Sequence, residues 1–225
     1  MRILITAGGT KEYIDNVRIL TNISTGSLAA HIAEELKYLP YETLDPEFKI
    51  DYIHADNAKK PNLFMETGID ANIKFHECNT VAELMSKMEE LVPLADVVIH
   101  SMAVSDFTFK RDTDVKLKSN DPEAFVEFMR ETITTNPKVL SYIKKWNPNC
   151  KLVSFKFEVG LEHEELLRIA RESGSKNGSD IIVANDKIEM DNAGTHVAYI
   201  LTNDNEIKCE GKQDIAEKLT KIITE

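Results

Sequence analysis

The chain reads as an α/β protein, a doubly wound and largely parallel sheet of the Rossmann-like kind with an antiparallel hairpin added near the C-terminus. Three observations predict it. Short apolar runs rich in β-branched residues alternate with segments of helical period, from Ile3-Leu4-Ile5 to the closing Ile215, Leu219, Ile222 and Ile223. The first strand runs into Gly8-Gly9, and a second polar turn, Asn22 to Gly26, precedes the first helix. Ala95-Asp96-Val97-Val98-Ile99-His100 is a near-continuous apolar run, as a central parallel strand requires.

The elements follow in order. Leu28, Ala29, Ile32, Ala33 and Leu36 predict an amphipathic helix with Ser27 or a neighbouring turn residue at its cap. Pro40 to Lys49 is a loop leading to a strand at Ile50–His54, whose carboxyl end carries His54-Ala55-Asp56-Asn57. Lys59-Lys60-Pro61 to Gly68 is a second loop, and Ile73–His76 alternates as a strand. Thr80-Val81-Ala82-Glu83 is a capping box before the helix of Leu84, Met85, Met88 and Leu91. Asp121-Pro122 opens another helix through Phe125, Val126 and Met129. A helix at Pro137–Lys145, a strand at Lys151–Phe157 and a helix at Leu161–Glu172 come next, with a turn at Gly174–Gly178. Asp180–Ala184 is a strand ending in Asn185-Asp186-Lys187. Thr195–Thr202 and Glu206–Cys209 form a hairpin across Asn203-Asp204-Asn205.

A single domain over residues 1–225, 42% hydrophobic and 29% charged, fits a soluble globular protein with a full core. The formal charge of −11 opposes general nucleic-acid binding, which needs a basic footprint. A phosphorylated ligand must then be met by a local basic site. Cys78, Cys150 and Cys209 are far apart, without a C-x-x-C, and read as reduced structural thiols. No run is long enough to span a membrane and no signal pattern opens the chain, so the expectation is cytoplasmic.

Gly8-Gly9 permits close backbone approach to a ligand, but TAGGTKEYID lacks the G-x-G-x-x-G spacing of a dinucleotide fingerprint. A purely structural turn satisfies the pair equally well. Asn22, Ser24, Thr25 and Gly26 add an amide, two hydroxyls and a glycine just before a helix N-terminus, a site for an anion or carbonyl. Asp106 follows the central strand, where open α/β sheets bind ligands, or serves as a turn residue. Lys116 and Lys118 flank Leu117, so both ammonium groups face one side of an extended chain. They form a phosphate clamp or a protected sheet edge.

The blocks TAGGT…ID-x-VR…TN-x-STG, Ala103-Val104-Ser105-Asp106-Phe107 and Lys116-Leu117-Lys118 about ten residues later resemble the phosphopantothenate–cysteine ligase family in its standalone form. Asn136-Pro137, Ser154-Phe155-Lys156-Phe157-Glu158 and Val183-Ala184-Asn185-Asp186 extend the resemblance over nearly the whole chain. The resemblance implies an amide ligase of coenzyme A biosynthesis acting through an acyl-nucleotide, with Mg²⁺ and with CTP favoured over ATP. It implies Asn22 and Lys116 as catalytic residues. Gly8, Gly9, Ala103, Asp106, Lys116, Lys118, Asn136, Pro137, Phe155, Lys176 and Asn185 would meet the nucleotide. Arg18, Asn22, Ser24, Thr25 and Gly26 would meet the substrate, and a homodimer, with the late hairpin as its contact, is implied as well.

The chain departs from the family at Ser27, where a lysine is common, and at Ser173 and Asn177, where two lysines often stand. It leaves no room for the flavin-dependent decarboxylase to which bacterial members are often fused. Two other classes share the first strand and turn. A short-chain-type NAD(P) oxidoreductase would need the Tyr-x-x-x-Lys pair that is missing, and a nucleotide sensor would bind without releasing pyrophosphate.

Overall fold

The computed structural model describes residues 1–38, 47–62, 72–110 and 121–225. Its centre is an eight-stranded sheet whose strands run, from one edge to the other, Glu206–Glu210, Val197–Leu201, Ile181–Asp186, Lys151–Glu158, Val97–His100, Arg2–Ala7, Lys49–His54 and Ile73–Glu77. The parallel strands are β1 (Arg2–Ala7), β4 (Lys49–His54), β5 (Ile73–Glu77), β6 (Val97–His100), β9 (Lys151–Glu158) and β10 (Ile181–Asp186). The late hairpin, β11 (Val197–Leu201) and β12 (Glu206–Glu210), continues the same sheet antiparallel to β10, as expected. The sheet reverses its winding between β1 and β6, so the crevice of such a fold opens at their carboxyl ends.

Alternation of side chains divides the core into two faces. Ile3, Ile5, Ile50, Tyr52, Val153 and Val183 point to one side, beneath α1 (Ser27–Leu36) and the closing helix α7 (Lys212–Thr224). Leu4, Ile53, Val98 and Leu152 point to the other, beneath α2 (Val81–Leu91) and α4 (Leu140–Trp146). On that side α5 (His163–Asn177) covers the later strands through Leu166, Leu167 and Ala170. All three cysteines are buried thiols.

Helix α1 is capped by Gly26 at φ 67°, one of the turn residues expected there, and Ser27 is its first helical residue. Other local expectations give way. The turn expected from Gly174 begins only at Gly178, and α5 runs through Gly174 because Ile182 packs there; an added Cβ would lie 2.2 Å from its Cδ1. Helix α4 starts at Leu140, three residues after Pro137. Two short antiparallel pairs escape the sequence pattern: the hairpin of β2 (Lys11–Tyr13) with β3 (Ile19–Thr21), and β7 (Phe107–Phe109) with β8 (Ile133–Thr135), which a helix separates in sequence. Helix α3 (Pro122–Thr132), capped by Asp121 as expected, precedes β8, and a short α6 (Lys187–Ala193) follows β10.

The buried Glu12 carboxylate ties the first hairpin down. Its Oε1 accepts the Val81 N–H at 2.9 Å, at the positive end of α2, and its Oε2 accepts the Thr108 hydroxyl at 2.5 Å. A second buried link joins β1 to β6, where Thr6 Oγ1 lies 2.9 Å from His100 Nδ1 and accepts the Met102 N–H at 3.1 Å. Burial pushes the His100 imidazole down from 6.5 to about 4. Between those values the unfolded chain takes up the proton and the folded chain does not. Stability is therefore full above about pH 6.5 and falls as pH drops, by on the order of 3 kcal/mol at pH 4. Denaturant titrations from about pH 7 to 4 should show this loss in the wild type and a smaller one in His100→Gln. Parallel curves would remove His100 as the cause.

Candidate active site

Four chain segments meet at the carboxyl ends of β1, β4 and β6. Gly8, at φ 91°, turns the chain out of β1. Its carbonyl accepts the Ala103 N–H at 2.8 Å and the Thr10 N–H donates to the Ala103 carbonyl at 3.1 Å, so the glycine turn is stitched to the segment after β6. The Asn22 turn rests on Gly9, where an added Cβ would stand 2.7 Å from the Asn22 carbonyl oxygen. The loop after β4 packs under both turns, with Ala58 Cβ 2.7 Å from where a Cβ on Gly8 would be. A Cβ at either glycine would collide with these neighbours, the Asn22 backbone at Gly9 and the Ala58 methyl at Gly8.

The Asn22 side chain reaches across the mouth, its Nδ2 donating to the Val104 carbonyl at 3.0 Å. One amide N–H is thereby used, and an amide has a second N–H and a carbonyl oxygen for a ligand. Ser24 is half-buried and Thr25 exposed in the same turn; the Thr25 carbonyl accepts the Lys59 N–H at 2.9 Å, binding the turn to the β4 loop. Ile23, between Asn22 and Ser24, projects fully into solvent. Arg18 lies in the β2–β3 hairpin, pairs with Asp15, and sits 5.7 Å over the Phe125 ring.

Asp106 follows the Ala103–Ser105 segment and is exposed at the mouth. The Ser105 N–H donates to Thr10 Oγ1 at 2.8 Å, which anchors the Asp106 turn to the glycine turn. Asn136 and Pro137 lie directly behind it, and the neighbouring Lys138 forms an ion pair with Asp106. Lys138 was not among the expected residues; its only sequence signal was a place beside Asn-Pro.

The register Thr6↔His100 and His100↔Ser154 brings the half-buried Phe155 level with Ala7, two strands along, close to the mouth. Asn185 is buried at the end of β10, its Nδ2 donating to Met190 Sδ at 3.2 Å. Asp186 beside it accepts N–H groups of Leu161 (3.0 Å), Ile188 (2.8 Å) and Glu189 (3.2 Å). Burial raises its pKa, but those backbone donors together outweigh burial and hold the carboxyl below its ordinary value. Lys176 stands apart. It occupies the last turn of α5, which feeds the amino end of β10, so the topology places it at the opposite end of the sheet. Lys116 and Lys118 lie outside the described residues.

The fold and this glycine-lined, polar mouth define a doubly wound α/β domain of the ligand-binding kind. The chain belongs to the family described as the DNA/pantothenate metabolism flavoprotein C-terminal domain, whose pattern it matches over residues 1–44 and 49–225. It is 36% identical over 186 residues to the coenzyme A biosynthesis bifunctional protein CoaBC of Thermococcus kodakarensis, covering 82% of this chain and 41% of that protein. The CoaBC protein of Methanocaldococcus jannaschii is 30% identical over 220 residues, 97% of this chain and 49% of its own length. The chain thus spans less than half the length of these two relatives. Among solved structures, the DNA/pantothenate metabolism flavoprotein of Streptococcus pneumoniae superposes with a TM-score of 0.81 at 32% identity, covering 100% of this chain and 98% of that one.

The close approach at Gly9 makes a direct prediction. Gly9→Ala forces the Asn22 turn away, an overpacking that costs on the order of 1–3 kcal/mol. For a domain of this size the melting midpoint should fall by about 2–10 °C, measurable by calorimetry. An unchanged midpoint would mean that the turn yields freely.

Proposed function

We propose that this chain joins 4'-phosphopantothenate to cysteine, as a phosphopantothenate–cysteine ligase of coenzyme A biosynthesis. The nucleotide is CTP in preference to ATP, and the products are phosphopantothenoylcysteine, CMP and pyrophosphate. The observation that carries this reading is the seating of the Asn22 turn on Gly9, with its amide on Val104, two residues from Asp106. A turn suited to an acyl group and a loop suited to a nucleotide share one mouth. The family membership and the coenzyme A role in the relatives' names support the same reading.

A carboxylate resists attack by an amine, so it must first be activated. In this reading a carboxylate oxygen of phosphopantothenate attacks the α-phosphorus and the bond to pyrophosphate breaks. The cysteine amine then attacks the acyl carbon, CMP leaves with the electron pair of the C–O bond, and the amine proton passes to solvent. The protein contributes placement and charge rather than a nucleophile. Asn22 stabilises the acyl oxygen through its amide, with Arg18, Ser24, Thr25 and Gly26 at the substrate end. Asp106, Ala103 and Phe155 line the nucleotide end, and Lys116 and Lys118 balance the triphosphate.

Among the described residues no three carboxylate, imidazole or thiol side chains converge as a metal cage. Asp106, a carboxylate exposed at the mouth, would be available to Mg²⁺, an ion that keeps waters and substrate phosphates among its ligands. Bound there, it would offset phosphate charge. No helix among the described residues is long and apolar enough to cross a membrane.

The working assembly in this reading is a homodimer. Val17, Ile19, Ile23, Phe107 and Ile133 are exposed on or beside the two small strand pairs. Helix α3 buries none of its residues, although it carries Phe125, Val126, Phe128 and Met129. A second copy of the chain covers this face better than the late hairpin, whose edge strand shows Glu206, Lys208 and Glu210 to solvent.

Pyrophosphate release should require phosphopantothenate and a nucleotide with Mg²⁺, and amide product should appear only when cysteine is added. Asn22→Asp should lower kcat by about 10²–10³-fold with nucleotide binding retained; unchanged turnover would reject its role. In sedimentation, Val17→Glu with Ile133→Glu should convert a dimeric wild type into monomer. A wild type already monomeric at micromolar concentration would end the dimer reading.

A further inference from the structure

Asn136, Pro137 and Lys138 connect β8 to α4 directly behind the Asp106 turn. The Asn136 Nδ2 donates to the Ser105 carbonyl at 3.1 Å and to the Phe107 carbonyl at 3.2 Å. Its backbone N–H donates to the Asp106 carbonyl at 2.9 Å. A primary amide nitrogen carries two hydrogens, and both are committed to the turn. No donor of that side chain is left for phosphate. The helix beyond has only seven residues and no side-chain cap, so it offers little dipole for an anion. Lys138 Nζ meanwhile pairs with Asp106 Oδ1.

We propose that the Asn136–Lys138 segment is a brace that positions Asp106, and that Lys138 sets how this carboxylate meets the nucleotide. Asn136 fixes the backbone on both sides of Asp106. Lys138 engages one carboxylate oxygen and leaves Oδ2 to accept from a single hydroxyl or amino group of the ligand. Thr10 holds the same turn through the Ser105 N–H, so the backbone that carries the carboxylate is tied at Ser105, Asp106 and Phe107. The Asn136 amide nitrogen then acts as a positioning group for the Asp106 turn. The lysine and aspartate side chains are 75% and 61% exposed, so their pair adds little to stability. Its value lies in geometry, because a carboxylate aimed before binding spares the ordering cost at the moment of binding. The proposal rests on the ligase reading for the identity of the nucleotide.

A double-mutant cycle on pyrophosphate release tests it, with Mg²⁺, phosphopantothenate and cysteine present. Lys138→Met should raise the KM for the nucleotide about three- to tenfold with kcat within about twofold. Lys138→Arg should recover most of the loss. In an Asp106→Asn background, Lys138→Met should change nothing further. Equal effects in both backgrounds, or an unchanged KM in the single variant, overturns the brace. If the wild type releases no pyrophosphate, the ligase reading fails, and the same cycle run on CTP and ATP affinity by calorimetry still decides the brace. A wild type that binds neither nucleotide overturns both.

Discussion

Backbone contact at Gly8 and Gly9 is the constraint on which the mouth depends. The carbonyl of Gly8 and the N–H of Thr10 clasp Ala103, while the carbonyl of Asn22 lies where a Gly9 side chain would be. Through these contacts the loops after β1 and β6 and the turn before α1 become one surface. Asn22 and Asp106 are 84 residues apart in sequence. They share a mouth because the glycine turn hydrogen-bonds to Ala103 on one side and, with no Cβ on Gly9, lets the Asn22 backbone close on the other.

Polar groups buried around that clasp keep it rigid. Glu12 satisfies an amide at the start of α2 and the hydroxyl of Thr108, so the two small strand pairs cannot shift independently. Thr10 receives the amide of Ser105, and Thr6 that of Met102. Each of these partners would cost more to orphan than its bond contributes, which makes the arrangement all-or-none. Local ion pairs surround the mouth of this acidic chain: Lys11 holds Asp56, Arg18 holds Asp15 and Lys138 holds Asp106.

Much of the sheet was legible before the fold was known. The runs at Ile3-Leu4-Ile5, Val97–His100 and Ile181–Val183 are strands because both of their faces are buried, and such runs announce themselves. The Thr80–Glu83 capping box and the Asp121 cap are local chemistry and appear as expected. The small strand pairs were illegible for the opposite reason. Their strands are three residues long, half of their residues are exposed, and they are held by bonds from Glu12 and Asn136 to partners remote in sequence. Gly174 reads as a turn former, yet it sits inside a helix because Ile182 occupies the space beside it.

The sequence by itself determined the α/β class, the parallel centre with its late antiparallel hairpin, and the candidate polar residues at turns after strands, since periodicity and turn chemistry act over a few residues. Tertiary structure alone decided which of those residues meet. It gathered Asn22, Asp106 and Phe155 at the carboxyl ends of the strands and left Lys176 at the far end. It turned Asn136 inward against the Asp106 turn and brought Lys138 to that carboxylate. Such outcomes depend on strand order, register and the direction each helix runs, and no local pattern encodes distances between segments that only packing brings together.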